Sequence, residues 1–135
     1  MNQKLKPVLL ESPYGSTEKD PEKYKKHIER NIFYAQLCMH DCLMHGEAPF
    51  ASHLLYTQKN VLRDYMPEER RLGMEAGFIW GAFAKYSVFY TDLGVSSGML
   101  AGQRKAKKEG RHCITRRLPS ELKKIFNKKF PGNQI

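Results

Sequence analysis

Residues 90–99 read YTDLGVSSGM, and this stretch decides the fold. The apolar run that ends at Tyr90 is typical of a buried strand. Asp92 follows the strand, Gly94 provides a turn, and Ser96-Ser97-Gly98 opens a helix. In open α/β sheets, ligands bind beyond the carboxyl ends of the strands. Because backbone N–H groups at a helix start attract anions, the stretch predicts a nucleotide or phosphate pocket.

Short apolar runs and helical segments alternate along the rest of the chain. Strands are predicted at residues 7–11, 49–55, 87–91 and 112–116. Helices are predicted at residues 21–45, 67–86, 96–110 and 121–130. This alternation favours a parallel sheet. We expect one α/β domain with an open sheet of four or slightly more strands and helices on both faces, similar to flavodoxin or Rossmann folds.

Apolar spacing predicts which face of each long helix is buried. In the first helix the stripe contains Ile28, Ile32, Ala35, Met39 and Cys42. In the second it contains Leu72, Ala76, Ile79 and Phe83. Six aromatic residues in the same region suit either an ordinary core or a self-association face, so a homo-oligomer is expected. They are Phe78, Trp80, Phe83, Tyr86, Phe89 and Tyr90.

The positive charge is concentrated at one end of the chain. Residues 103–135 hold eleven Lys and Arg against two Glu, whereas residues 1–102 are neutral overall. Within this region we expect residues 119–135 to form a basic C-terminal helix, packed on or extending from a nucleotide-binding domain at residues 1–118. Such a region attracts polyanions, nucleotides or an acidic partner. No zinc-finger, recognition-helix or aromatic RNA-binding pattern accompanies it.

Several classes of protein are not expected. Residues 1–6 are polar and no long apolar run follows, so we expect a cytoplasmic protein without a membrane partner. Three cysteines do not suggest a disulfide framework. Cys38, Cys42 and His45 share a helix face, but Cys42 also continues the apolar stripe, and no metal is expected. The glycine-rich motifs of nucleotide kinases, dinucleotide enzymes and α/β-hydrolases are missing from the sequence, and no cofactor is expected.

Four short motifs carry a family resemblance. They are ESPY at residues 11–14, ERN at residues 29–31, GEAPFASH at residues 46–53 and YTDLG at residues 90–94. The chain resembles the nucleoside 2-deoxyribosyltransferase-like superfamily, especially its small phage and bacterial members of unknown function. The similarity covers residues 8 to about 115.

The resemblance implies a nucleoside or nucleotide site between the first strand's loop and the start of the third helix. It implies that Asp92 positions the substrate. It also implies a nucleophilic Glu one turn into the third helix, at about Gly102, yet no carboxylate lies between Leu93 and Lys108. Glu75, which lies beside glycines in the preceding helix, is a substitute candidate, and so is Glu47.

Candidate site residues follow from these arguments. Asp92 and Glu75 are the catalytic candidates. The ligand-binding candidates are Ser12, Pro13, Tyr14, Gly15, His53, Asp92, Ser96, Ser97, Gly98 and Met99. The ring of Tyr14 could stack on a base or pack on the surface of a plain turn. His53 could serve as an acid, a base or a hydrogen-bonding residue, or be structural. Glu75 could reach the pocket or be solvated.

Three functions remain open at this stage. The first is a protein that binds or sequesters a nucleoside phosphate or an ADP-ribose-like signal, a hypothesis that the resemblance to phage proteins extends to phage counter-defence. The second is an N-glycosidase or deoxyribosyltransferase that cleaves the N-glycosidic bond of a nucleoside or nucleotide. The third is a nucleic-acid or protein adaptor that uses the basic C-terminal region. Whether the protein is an enzyme is undecided by the sequence.

Overall fold

A four-stranded parallel sheet forms the centre of the computed structural model, which describes residues 4–135. The strands are β1 (Lys6–Glu11), β2 (Glu47–Phe50), β3 (Tyr86–Tyr90) and β4 (His112–Arg116). The helices are α1 (Pro21–Met44), α2 (Ser52–Leu55), α3 (Pro67–Gly81), α4 (Ser97–Lys108) and α5 (Ser120–Lys129). The predicted single α/β domain with an open flavodoxin- or Rossmann-like sheet is confirmed. Part of the polar N-terminal segment, residues 1–3, lies outside the described residues.

The strand order β2-β1-β3-β4 fixes where a ligand can bind. From β1 the chain moves to one side to form β2, and it then returns across β1 to form β3. The connections on the two sides of β1 therefore diverge, and a crevice opens beyond the carboxyl ends of β1 and β3. This reversal point is the usual ligand site of a doubly wound sheet.

Alternating side chains on β1 face two different helix layers. Val8 and Leu10 belong to a core cluster with Tyr34 of α1 and Phe126 of α5. Leu9 and Glu11 face the opposite layer, where Leu9 lies against α3 and Glu11 against α4. The first layer is the main hydrophobic core, and the second layer holds the crevice.

The buried face of α1 differs from the predicted apolar stripe. Asp20 caps the helix as its side chain accepts a 3.0 Å hydrogen bond from the N–H of Lys23, and Pro21 occupies the first helical position. The buried residues are Asn31, Tyr34, Ala35, Cys38, Asp41 and Cys42, whereas Ile28, Ile32 and Met39 are only partly buried. The face is rotated because Asn31, Tyr34 and Asp41 find hydrogen-bond partners inside the protein.

The second predicted strand ends earlier than expected. We expected a strand over residues 49–55, but β2 ends at Phe50 and the chain turns at Ala51 into the short helix α2. The N–H groups of Leu54 and Leu55 both bond to the carbonyl of Ala51. His53 therefore lies on a helix at the end of the sheet and not on a strand.

The buried face of α3 is formed by glycines and not by the predicted apolar stripe. The helix ends at Gly81 rather than near Tyr86. Leu72, Ile79 and Phe83 are 56%, 67% and 74% exposed. Gly77 and Gly81 are buried instead, since they let the backbone of α3 approach α2 and β1 closely.

The aromatic residues divide between surface and core. Phe89 and Tyr90 are fully buried and so cannot contribute to a self-association face. Trp80 and Phe83 are exposed, and self-association through them stays a prediction. None of the helices within residues 4–135 combines the length and the apolar character required to cross a membrane.

A glycine substitution tests the close packing of α3. In Gly77→Ala the new Cβ would lie 2.6 Å from Cβ of Ser52, so α2 would have to shift. We expect the free energy of unfolding to fall by about 1–3 kcal/mol, despite the helix-propensity gain of about 1 kcal/mol from Ala. Urea denaturation measures this change.

Gly73→Ala is the matched control on the same helix. The tightest contact of its new Cβ would be the Cδ1 atom of Leu62, at 3.2 Å, and that flexible side-chain end can move aside; Cβ of Tyr56, at 3.8 Å, is in ordinary van der Waals contact. We expect unchanged or slightly higher stability for this variant. Equal stabilities of the two variants would show that the contact between α2 and α3 is loose.

Candidate functional site

A cavity of about 420 Å³ lies beyond the carboxyl ends of β1 and β3. Its walls come from the end of β1, the following loop, the start of α2, the inner face of α3 and the start of α4. Eight of the predicted ligand-binding residues line it: Ser12, Tyr14, Gly15, His53, Ser96, Ser97, Gly98 and Met99. Pro13, which lies between two lining residues in the sequence, is buried and does not itself line the cavity.

The start of α4 presents hydrogen-bond donors to the cavity. Ser96 caps the helix, and its Oγ accepts a 3.2 Å hydrogen bond from the N–H of Met99. The N–H groups of Ser97 and Gly98 have no intrahelical acceptor, because they belong to the first turn. The helix dipole adds a partial positive charge at the same point.

Arg70 of α3 brings a full positive charge to this helix start. Its Nη2 donates a long hydrogen bond of 3.5 Å to the hydroxyl of Ser97. A Cβ atom on Gly98 would lie 3.6 Å from the same Nη2, and one on Gly15 would lie 3.6 Å from Nη1. Within residues 4–135, no carboxylate oxygen lies close enough to Arg70 to form an ion pair. Arg70 and the first turn of α4 together place a positive charge and several hydrogen-bond donors at one point of the wall, which we call the anion subsite.

Ser12 and His53 meet on the opposite wall. Ser12 Oγ and His53 Nε2 share a hydrogen bond of 2.8 Å, and the ring of Tyr14 lies edge-on to the imidazole with 6.5 Å between centroids. Burial lowers the pKa of His53 to about 4. The imidazole is therefore neutral at pH 7, which suits a hydrogen-bonding residue rather than a cationic one.

The loop after β1 is held in place from α1. Nδ2 of Asn31 donates a 2.7 Å hydrogen bond to the carbonyl of Tyr14. Arg30 in turn donates from Nε and Nη2 to Oδ1 of Asn31, at 3.1 and 2.9 Å. The ERN motif therefore supports the shape of the cavity from outside it.

Glu11, which sequence reasoning missed, contributes a carboxyl group to the cavity. It is the last residue of β1, and its carboxyl lies against Gly102 of α4, where a Cβ atom would come within 2.0 Å of Oε2. Burial raises the pKa of Glu11 to about 8, although the positive charge of Arg111 opposes this shift. The side chain is therefore largely protonated at pH 7.

The position of Glu11 bears on the family resemblance. The resemblance implies a carboxylate at about Gly102, and the sequence has none there. In the structure the carboxyl of Glu11 occupies the space beside that glycine. Two sequence signals pointed to Glu11: it begins the ESPY motif, and it lies at the carboxyl end of the first strand, where functional residues of such sheets lie.

Asp64 is a second carboxyl on the cavity wall that sequence reasoning missed. Burial raises its pKa, and the charge of Arg70 acts in the opposite direction. Its Oδ2 would lie 3.2 Å from a Cβ atom on Gly15, so the absence of a side chain at Gly15 leaves room for this carboxyl.

Asp92, the principal catalytic candidate, does not line the cavity. Its side chain is 1% exposed and faces α1 and α5. Oδ2 accepts hydrogen bonds from the Tyr34 hydroxyl at 2.7 Å and from the N–H of Leu118 at 3.0 Å. Asp92 thus connects the end of β3 to the helices of the other layer, because its side chain points away from the crevice.

The two substitute carboxylates also lie elsewhere. Glu75 is exposed on α3 and is not part of the cavity wall. Glu47 is 2% exposed in the other layer, where it accepts hydrogen bonds from Arg116 at 2.8 and 3.0 Å and one from Tyr86. Neither of them lines this cavity.

A comparison with protein families identifies the family of this chain. The model of a domain of unknown function (DUF7768) matches residues 6–116. The chain belongs to this family. The DUF7768 match contains every residue that lines the cavity and ends with β4, so α5 lies beyond it. No curated protein matches the chain, and no solved structure matches it.

No group of three potential metal-ligating side chains comes together within residues 4–135. Cys38 and Cys42 are fully buried in the core, and burial raises the pKa of both thiols. His45 is exposed at the end of α1. Of these three residues, Cys38 and Cys42 therefore belong to the packed face of α1, and His45 lies outside it.

The raised pKa of Glu11 predicts a pH dependence of stability. The folded protein binds the Glu11 proton more tightly than the unfolded chain, so stability falls as pH rises from about 4.5 to about 8. Glu11→Gln removes this titration. At about pH 9 we expect the free energy of unfolding of Glu11→Gln to be higher than that of the wild type by more than about 1 kcal/mol. At about pH 5 we expect the two proteins to have similar free energies of unfolding.

Urea denaturation across this pH range measures the difference, and Glu75→Gln is the matched control on an exposed residue. Parallel stability curves for the wild type and Glu11→Gln would mean that Glu11 is solvated and ionised in the folded protein.

Proposed function

We propose that this protein binds a nucleoside phosphate or an ADP-ribose-like ligand in the cavity at the ends of β1 and β3. The observation that carries the proposal is the convergence of Arg70 with the first turn of α4 on the wall of this cavity. A cavity of about 420 Å³ lies within the size range of small-molecule sites.

The anion subsite supplies the charge that a phosphate requires. Backbone N–H groups at a helix start bind phosphate through hydrogen bonds and the helix dipole. A guanidinium adds donors in a planar arrangement that matches phosphate oxygens. Because Gly98 has no side chain, a phosphate can approach both Arg70 and the backbone of α4 closely.

The remaining walls suit the uncharged part of a nucleotide. Tyr14, Met74 and Phe78 provide aromatic and apolar surface for a base. The neutral pair of Ser12 and His53 provides hydrogen-bonding atoms beside it. A protein that retained such a ligand intact would lower its free concentration, which agrees with the counter-defence role that the sequence resemblance suggests.

Arg70→Ala tests the anion subsite. We expect affinity for nucleotides to fall by about tenfold to a hundredfold, because a charge-assisted interaction with phosphate is lost. Isothermal titration with nucleoside monophosphates, NAD and cyclic nucleotides measures the change. Arg71→Ala, an exposed neighbour that does not line the cavity, is the matched control and should bind as the wild type does. Equal losses of affinity in both variants would mean that positive charge attracts nucleotides in general and that Arg70 does not bind phosphate specifically.

Glu11 favours a second candidate function, cleavage of an N-glycosidic bond. A carboxyl that stays protonated near pH 7 can donate a proton to a leaving base, as a general acid does. Water would then attack the anomeric carbon as the carbon–nitrogen bond breaks, with the bonding electrons going to the protonated base. The proton released by the water would return to Glu11. This reaction requires a different carboxyl from those that the sequence suggested.

Mass spectrometry of the protein incubated with nucleosides and nucleotides distinguishes the two functions. Release of free base beyond one equivalent, lost in Glu11→Gln and kept in Glu75→Gln, would establish cleavage through Glu11, with an expected rate loss of about a hundredfold or more. An intact nucleotide that stays bound to the wild type, with no free base, would establish the binding function alone.

A further inference from the structure

We infer that the ligand carries a 5′-phosphorylated ribose and that Glu11 binds the ribose hydroxyls, an inference that rests on the binding function proposed above. It therefore names the ligand class as ribonucleotides rather than 2′-deoxyribonucleotides. Two features carry it, namely the spacing between the anion subsite and Glu11, and the lack of a hydrogen-bond partner for the Glu11 carboxyl.

The spacing between the anion subsite and the Glu11 carboxyl follows from the positions that they contact along α4. Arg70 approaches the helix at Gly98, and the carboxyl of Glu11 lies against Gly102. Four residues of an α-helix span about 6 Å, so the two groups lie about one helical turn apart along α4. The 5′-phosphate and the sugar hydroxyls of a ribonucleotide are separated by a comparable length. A phosphate at the anion subsite therefore brings the ribose to Glu11, and the base extends beyond it.

The carboxyl of Glu11 is open to a further hydrogen-bond partner on the cavity side. It forms no side-chain hydrogen bond within residues 4–135, although desolvation makes an unpaired polar group costly. Arg111 is the cation whose charge acts on this carboxyl; its Nε and Nη1 bond Ser87 at 2.9 Å and Glu109 at 2.7 Å, and its Nη2 is buried without a hydrogen-bond partner. Because Glu11 lines the cavity, a ligand group there can provide a partner for the carboxyl.

Hydroxyl groups fit this carboxyl better than other ligand groups do. A protonated carboxyl both donates and accepts a hydrogen bond, and a pair of neighbouring hydroxyls can satisfy both. The raised pKa of Glu11 agrees with such a neutral partner. In other doubly wound sheets, ionised carboxylates also bind ribose hydroxyls, as hydrogen-bond acceptors. Deleting a hydroxyl from the ligand would leave the Glu11 carboxyl partly unpaired.

The experiment measures affinities of the full chain for each of the four common ribonucleoside 5′-monophosphates and for their 2′-deoxy and 3′-deoxy counterparts, by isothermal titration near pH 7. Among nucleotides with the base that the protein accepts, we expect the ribonucleotide to have an affinity at least about tenfold higher than that of its 2′-deoxy or its 3′-deoxy counterpart, or of both. Glu11→Ala should bring the ratio close to one by weakening the ribonucleotide only, and Glu75→Gln should keep the wild-type ratio.

Gly102→Ala provides a second variant that leaves the carboxyl in the chain. Its new Cβ would lie 2.0 Å from the present position of Oε2, so the end of the Glu11 side chain must move. We expect the same loss of discrimination as in Glu11→Ala. Circular dichroism establishes that each variant is folded before its affinities are compared.

The possible results separate this inference from the proposed function. If the wild type binds ribonucleotides and both deoxy series equally, the ribose assignment is wrong and the nucleotide site stands. If discrimination persists in Glu11→Ala, a different residue binds the sugar. If no nucleotide of any series binds, both the proposed function and this inference are overturned.

Discussion

The distance between the sheet and the helices on its cavity side is set by glycines. Gly77 and Gly81 bring α3 against α2 and β1, and Gly102 leaves space between α4 and β1. A side chain at any of these positions would push a helix outward or displace a neighbouring group. The cavity depends on this close packing, since α3 and α4 must lie near enough for Arg70 to reach the first turn of α4.

Much of the fold and part of the site could be predicted from the sequence. The strand-turn-helix pattern of residues 90–99 located the end of β3 and the start of α4, because turn glycines and capping serines have strong local preferences. Arg70 was missed because the apolar stripe of α3 indicated the wrong inner face. Stripe arguments assume that large apolar residues are buried, and here glycines occupy the inner positions while Leu72 and Ile79 are exposed.

The carboxylates show where sequence reasoning stops. Glu11 is the last residue of β1 and Asp92 follows β3, so both lie at the carboxyl end of a buried strand and sequence position alone gives them the same expected role. Their side chains point to opposite layers of the sheet, and only the three-dimensional partners distinguish them. Asp92 finds Tyr34 and the N–H of Leu118, whereas Glu11 faces the cavity. Glu47 is different again: burial would raise its pKa, but hydrogen bonds from Arg116 and Tyr86 outweigh burial and hold it below the usual value.

Asp92 also joins two parts of the chain that the family match separates. Its carboxyl accepts the N–H of Leu118, just beyond residue 116, and α5 continues from there to bury Phe126 against Tyr34. The aromatic surface of α1 that Phe126 covers would otherwise face solvent. The cooperative folding unit of this protein is therefore longer than its recognisable family segment, and the last helix is an integral wall of the core rather than an appendage.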